Sequence, residues 1–154
     1  MTNLPRLKLL FISGPNLQLL GMREPAVYGK ETLEDIYERA WARALELHAD
    51  DDGRQTNHEG TIVDWIGEAA GFFDGILLNP GAYTHTSIAI HDAIASVGVP
   101  TVEVHLSNIH SREPFRRHSM VAPACVGSIV GFRGEGYVLA VEAMVRHLRS
   151  RPKP

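Results

Sequence analysis

One cysteine, Cys125, stands in 154 residues, so no internal disulfide can form and the chain fits a reducing compartment. Lysine is almost as scarce. Lys8 and Lys153 lie near the ends and Lys30 in a loop, which leaves no lysine placed for desolvation as a Schiff-base nucleophile. No apolar run is long enough to span a membrane, and "LPRLKLLFISGP" is too short and too interrupted for a signal peptide. A cytoplasmic chain is the expectation. Charge of one sign is not in excess: a formal net charge of −3 offers no basic face for nucleic acid and no polybasic membrane anchor. Repeats and low-complexity tracts are also missing. By elimination, small-molecule chemistry is favoured.

With 44 % hydrophobic and 21 % charged residues, the composition fits one globular domain over residues 1–154, able to bury roughly two thirds of its unfolded surface. "LKLLFISGPN" reads as a buried strand stopped by Gly14 and Pro15. "TLEDIYERAWARALEL" sets Leu33, Ile36, Tyr37, Ala40, Ala44 and Leu45 at helical spacing, with Thr32 and Asp35 as a capping pair. Alternation then requires a strand in "HADDDGRQTN", although that stretch is acidic and has no apolar run. "TIVDWIGEAAG", "TSIAIHDAIASVG" and "GYVLAVEAMVRHL" read as helices; "GILLN", "TVEVHLSN" and "GSIVGF" read as strands. Strands alternating with helices make right-handed βαβ units. The predicted fold is α/β, a flavodoxin-like three-layer αβα sandwich on a five-stranded parallel sheet.

Within "TVEVHLSN", period two puts Thr101, Glu103, His105 and Ser107 on one face and Val102, Val104 and Leu106 on the other. A central parallel strand should be apolar on both faces, so the polar face needs a reason. Two long connections, "SGPNLQLLGMREPAVYGKE" and "SNIHSREPFRRHSMVAPAC", far exceed the usual two to six residues or so, and both leave carboxyl ends of strands, where ligands bind in open α/β sheets. Together the strand ends bring Asn16, Asn79 with "GAYTHT", His105 and Ser107, and the loop residues Arg23, Tyr28, Arg112 and Arg116 to one edge. Glu103, two residues from His105 on the same face, can orient the imidazole and fix its tautomer.

Each of these residues also has a plain structural reading. Glu103 and His105 can form a satisfied bridge, Asn79 before Pro80 is a turn starter, Tyr28 can pack the loop, and Arg23 and Arg116 can be solvated charges. Asp92 falls on the exposed stripe of its helix. Joint placement at one edge favours the functional reading. Other chemistries fail on their patterns. "HEGTI" has Ile62 where a zinc protease needs its second histidine, "GPNLQLLG" lacks the phosphate-loop ending, and "GFRGEG" has its glycines in the wrong order for a dinucleotide site. There is no G-x-S-x-G elbow, and Cys125 in "APACVG" has the surroundings of a buried thiol. A catalyst, a noncatalytic module that binds an anionic metabolite and a metal-dependent hydrolase remain the open classes at this level.

"GPNLQLLGMREPAVYG", "QTNHEGTIVDWI", "NPGAYTHTS", "VEVHLSNIHSREPFRRHS" and "GYVLAVEAM" resemble, in order and over about residues 9–148, the type II 3-dehydroquinate dehydratases. The resemblance implies a flavodoxin-like fold, no metal, no cofactor, and a homododecamer built from trimers. It implies a lyase that dehydrates 3-dehydroquinate to 3-dehydroshikimate, in the shikimate pathway of aromatic amino acid biosynthesis or in quinate breakdown. Residue by residue, Tyr28 matches the proton acceptor, Arg23 the arginine that stabilises the charged state beside it, and His105 the general acid. Asn16 matches a residue that holds a water at the developing enolate oxygen. Asn79, His85, Leu106, Ser107 and Arg116 match substrate contacts, and Arg112 of the same loop is expected to bind substrate with them. Asp92 matches an aspartate contributed across a subunit interface. Ser13, Gln18, His91 and the acidic "HADDDG" depart from the family pattern.

Overall fold

Leu9 to Ile12 are all fully buried, and this run is the heart of the first strand, β1 (Leu7–Ser13). In a computed structural model that describes residues 3–22 and 24–152, and all of Tyr28 but its side chain, four more strands follow: β2 (Ala49–Gln55), β3 (Gly75–Asn79), β4 (Thr101–His105) and β5 (Gly127–Val130). All pairings are parallel, in the order β2-β1-β3-β4-β5. That is the flavodoxin-like order, which places its topological switch between β1 and β3.

Among the described residues five α-helices connect or close the strands: α1 (Pro25–Tyr28), α2 (Leu33–Glu46), α3 (Glu59–Glu68), α4 (Ile88–Val97) and α5 (Glu135–Ser150). Alternate side chains of β1 feed two cores. Leu9 and Phe11 pack with Ile36, Ala40, Tyr137 and Val141 of α2 and α5, whereas Leu10 and Ile12 pack with Ile62, Ile66, Ile90 and Ile94 of α3 and α4. The sheet is therefore covered on both faces, as a parallel sheet must be. Helix α2 begins in a capping box in which Thr32 and Asp35 each bond the other's backbone, a device that contributes about 1 kcal/mol. Leu45, read as part of the apolar stripe of α2, is instead 60 % exposed, while its neighbour Ala44 is fully buried; one residue further round the helix, Leu45 falls off the flank of the buried stripe.

The acidic segment does form a strand. β2 pairs along its full length, from Leu7 with Ala49 to Ser13 with Gln55. Backbone pairing to the buried β1 supplies the stabilisation that apolar side chains supply elsewhere, and charge is tolerated because the strand lies at the edge. Asp50 accepts from Arg6 at 2.7 Å and Asp52 from Arg54 at 2.9 Å. Gly53 is required by contact: a Cβ there would lie 2.6 Å from the Tyr37 ring.

The described residues of both long connections hold turns and buried side chains. Leu17 and Leu20 of the first are buried, while Leu19 is exposed. The second winds through three short 3-10 turns, Ile109–Ser111, Pro114–Arg116 and Ala122–Ala124. Among the described residues no helix is long and apolar enough to cross a membrane.

Candidate active site

The polar face of β4 points toward the α4 layer. Val102, Val104 and Leu106 enter the core shared with α5, so Thr101, Glu103 and His105 face the other way, and each is nearly inaccessible to solvent. Glu103 is 1 % exposed, and a carboxylate at that depth must be paired or neutral. It is paired several times over. Nε2 of His105 lies 2.9 Å from Oε2. Thr84 donates to the same oxygen at 2.7 Å, Ser119 reaches both oxygens at 2.9 and 3.0 Å, and Ser128 donates to Oε1 at 3.3 Å. Burial pushes this carboxyl up, but the hydrogen bonds from His105, Thr84 and Ser119 outweigh it and hold the group below the usual carboxylate range.

These bonds decide the state of the imidazole. Thr84 spends its proton on Glu103 and its oxygen lies 3.1 Å from Nε2 of His105, so Nε2 carries a hydrogen shared between carboxylate and hydroxyl. Nδ1 is left as the ring nitrogen that can serve a ligand. His105 lines a cleft of about 100 Å³ together with Asn16, Asn79, His85, Leu106, Ser107, Arg112 and Arg116. Nine of the twelve residues picked out from the sequence are thus in one place: eight line the cleft and Glu103 lies directly behind His105.

Local chain chemistry explains each position. Gly14 turns the end of β1 across Pro80, where a Cβ would lie 2.6 Å from the Pro80 carbonyl oxygen. Asn16 follows in the left-handed region at φ 69°, which asparagine tolerates better than most residues. Asn79 ends β3, and its Oδ1 accepts from the amide of Gly81 at 3.1 Å; the turn-starter reading and the cleft position hold together. His85 donates from Nδ1 to the His118 carbonyl at 2.8 Å, which turns Nε2 outward. Desolvation lowers its pKa, with that hydrogen bond opposing. Arg112 reaches the Ser107 hydroxyl at 3.5 Å, and Arg116 is held by Glu113 at 2.6 Å and stacked on Phe115. Two guanidinium groups beside hydroxyl, amide and imidazole make a polar cleft suited to a small oxygen-rich anion.

The remaining three residues lie apart from this cleft or outside the description. Asp92 is exposed on α4 and does not line the cleft. Arg23 lies outside the described residues, as does the side chain of Tyr28. The backbone of α1 is placed: Ala26 and Val27 line a second hollow with Leu106, Ser107, Arg112 and Arg133, so the short helix sits beside the end of β4. Thr84, Ser119 and Ser128 were not singled out from the sequence. Only Ser128 carried a usable signal, because the parallel register sets it opposite Glu103. Among the described residues no three His, Cys, Asp or Glu side chains converge as a metal-binding group.

A family model described as dehydroquinase class II matches residues 7–145. The chain belongs to the class II dehydroquinase family. A curated 3-dehydroquinate dehydratase from Jannaschia sp. is 52 % identical over 148 residues, covering 96 % of this chain and all of that one. One from Nostoc sp. is 54 % identical, covering 93 % and 97 %. The crystal structure of the type II dehydroquinase from Butyrivibrio crossotus superimposes with a TM-score of 0.88 at 44 % identity, over 90 % of this chain and 97 % of that one. Ser13, Gln18 and His91 each have a local partner in this structure. Ser13 bonds the buried Tyr37 hydroxyl at 2.5 Å, Gln18 accepts from Gln55 at 2.9 Å, and His91 donates to the Met120 carbonyl at 2.8 Å.

Proposed function

We propose that this chain is a hydro-lyase that removes water from 3-dehydroquinate to give 3-dehydroshikimate, through an enolate and by anti elimination. The observation that carries the reading is the buried Glu103–His105 pair at the foot of a cleft flanked by Arg112 and Arg116. A proton beside the ketone leaves first, and the tertiary hydroxyl then departs as water, so an acid and a base are needed on opposite faces of the ring. His105 supplies the acid from Nδ1, with Glu103 stabilising the imidazolium. Tyr28 supplies the base.

Free tyrosine has a pKa near ~10, so only about one part in a thousand is phenolate at neutral pH. Lowering it by roughly three units takes about 4 kcal/mol of preferential stabilisation of the phenolate, and a partly desolvated guanidinium is of the right order. Arg23, five residues upstream in the same loop, fills that role. Asn16 holds a water at the enolate oxygen. Asn79, His85, Ser107 and Arg116, with the Leu106 and Ser107 amides, bind the substrate, and Arg112 supports Ser107. Gly21 and Gly29 have φ of 88° and 86° and serve as pivots on which the first loop closes over the ring.

In this reading the chain works in the cytoplasm, in aromatic biosynthesis or quinate breakdown. It assembles as a dodecamer of trimers in which Asp92 serves a neighbour's cleft. The deciding experiment is the rise in absorbance of the conjugated enone product when purified protein meets 3-dehydroquinate with a chelator present. Turnover unaffected by chelator is expected. Binding without turnover would leave only an anion-binding module, and chelator-sensitive turnover would point to a metal enzyme.

A further inference from the structure

The third residue after Arg116, Ser119, does something the reaction above does not use. Its hydroxyl lies within 3.0 Å of both oxygens of Glu103, and it also accepts from the amide of Ala122 at 3.0 Å. With its lone pair engaged by that amide, the hydroxyl hydrogen is directed at the carboxylate. The backbone around it is clamped on both sides. His85 donates to the carbonyl of His118, His91 donates to the carbonyl of Met120, and the amide of Met120 donates to Thr84 at 2.7 Å. Two imidazoles and one backbone bond thus hold three successive peptide units, the two that flank Ser119 and the one after them. His91 finds its use in that clamp.

We infer that Ser119 is a positioning residue for the proton transfer: its clamped hydroxyl, with Thr84 and Ser128, fixes where the proton of the Glu103–His105 pair resides. The inference rests on the function proposed above. Four donors converge on one carboxylate, and only His105 among them can change its charge. The uncharged donors keep Glu103 ionised, so the exchangeable proton stays on the imidazole rather than passing to the carboxylate. The direction of the effect follows from electrostatics. A hydroxyl dipole aimed at Glu103 stabilises the state with neutral imidazole and bare carboxylate more than the state in which imidazolium already compensates that charge. Removing the dipole therefore favours protonation of the pair. The other titratable groups that face it are His85, Arg112 and Arg116, which line the cleft with His105, and Cys125, whose thiol is pushed up to about 12 by burial and by Glu103. None of them is altered by a change at Ser119.

The test is an NMR titration of His105 in wild type, Ser119→Ala, Ser119→Thr and Ser128→Ala, with the pH dependence of kcat/KM measured in parallel. In Ser119→Ala the His105 midpoint and the basic limb should both rise by about half a pH unit, and Ser119→Thr, which keeps the hydroxyl, should return both toward wild type. A folded Ser119→Ala protein with an unmoved midpoint would overturn the inference, even with activity reduced. Because Ser119→Ala also deprives Ala122 of its acceptor, Ser128→Ala provides the check if the first variant does not fold: its midpoint should rise by a smaller amount, and no rise refutes the idea. Wild-type turnover tests the proposed function separately, since the midpoint reads the pair with no substrate present.

Discussion

Oε2 of Glu103 lies 2.9 Å from Nε2 of His105, and both side chains are sealed on the same face of β4. Glu103→Gln keeps the shape and removes the charge. The amide oxygen can still accept, but an imidazolium is no longer favoured. Turnover should fall at least tenfold with KM changed little, because the loss lies in the charged state reached during proton transfer. Steady-state kinetics decide it, and a pure rise in KM would contradict the assigned role.

His105→Ala and Tyr28→Phe should each lower kcat by at least about two orders of magnitude while the far-ultraviolet spectrum stays that of the wild type. Near-normal activity in either would remove the corresponding acid or base from the scheme. Arg23→Gln should move the acidic limb of the pH–rate profile upward, since the phenolate loses the cation that favours it. An unmoved limb would refute the Arg23–Tyr28 relationship.

Arg133 reaches across to the first loop. Its Nη1 lies 3.4 Å from the carbonyl of Pro25, while its own amide is bonded to the carbonyl of Leu106 at 3.0 Å. It therefore ties α1 to the end of the strand that carries His105. Arg133→Ala should lower kcat/KM several-fold, chiefly through KM, because the loop is held closed less often. Equal kcat and KM for the two proteins would show that this contact does not report on closure.

Asp51 gives a stability prediction. Its Oδ2 is buried with no hydrogen-bond partner among the described residues, and burial, then Asp50 and Asp52, push its carboxyl up to about 6. Below pH about 4 the group is protonated in both states. As pH rises from there to about 6, the unfolded chain ionises first and the fold loses stability; above that window the loss is constant. Asp51→Asn should thus stabilise at pH 7.5 by on the order of 1 kcal/mol after allowance for partial exposure, roughly 3 °C in Tm, and by nothing near pH 3.5. Thermal melts at both pH values check it.

How much of this was legible in the sequence follows from which forces act locally. The period-two pattern of "TVEVHLSN" gave the face and the pairing of Glu103 with His105, because strand geometry alone dictates it. Helix α2 was legible through Thr32 and Asp35, whose capping is a matter of four consecutive residues. Strand β2 was legible only from the alternation of elements, since its stability comes from pairing with β1 and its side chains carry no apolar signal. Ser119 and Thr84 were invisible as partners of Glu103, being 16 and 19 residues away on turns whose path is set by tertiary contacts. The exposure of Leu45 was missed because helical spacing marks a stripe without saying how wide its buried part is, and Ala44 rather than Leu45 is the residue of that turn in the core.

The outer edge of β2 has a consequence for handling the protein. An open strand edge is a template on which another chain can add, and three consecutive aspartates are an effective guard because a second copy in register would stack like charges. That guard depends on ionisation. In strongly acidic solution the aspartates are protonated and Arg54 is the one charge left on this strand, so turbidity on acidification should start from this margin of the sheet, and replacing Asp50 and Asp52 with asparagine should bring it on at milder acidity.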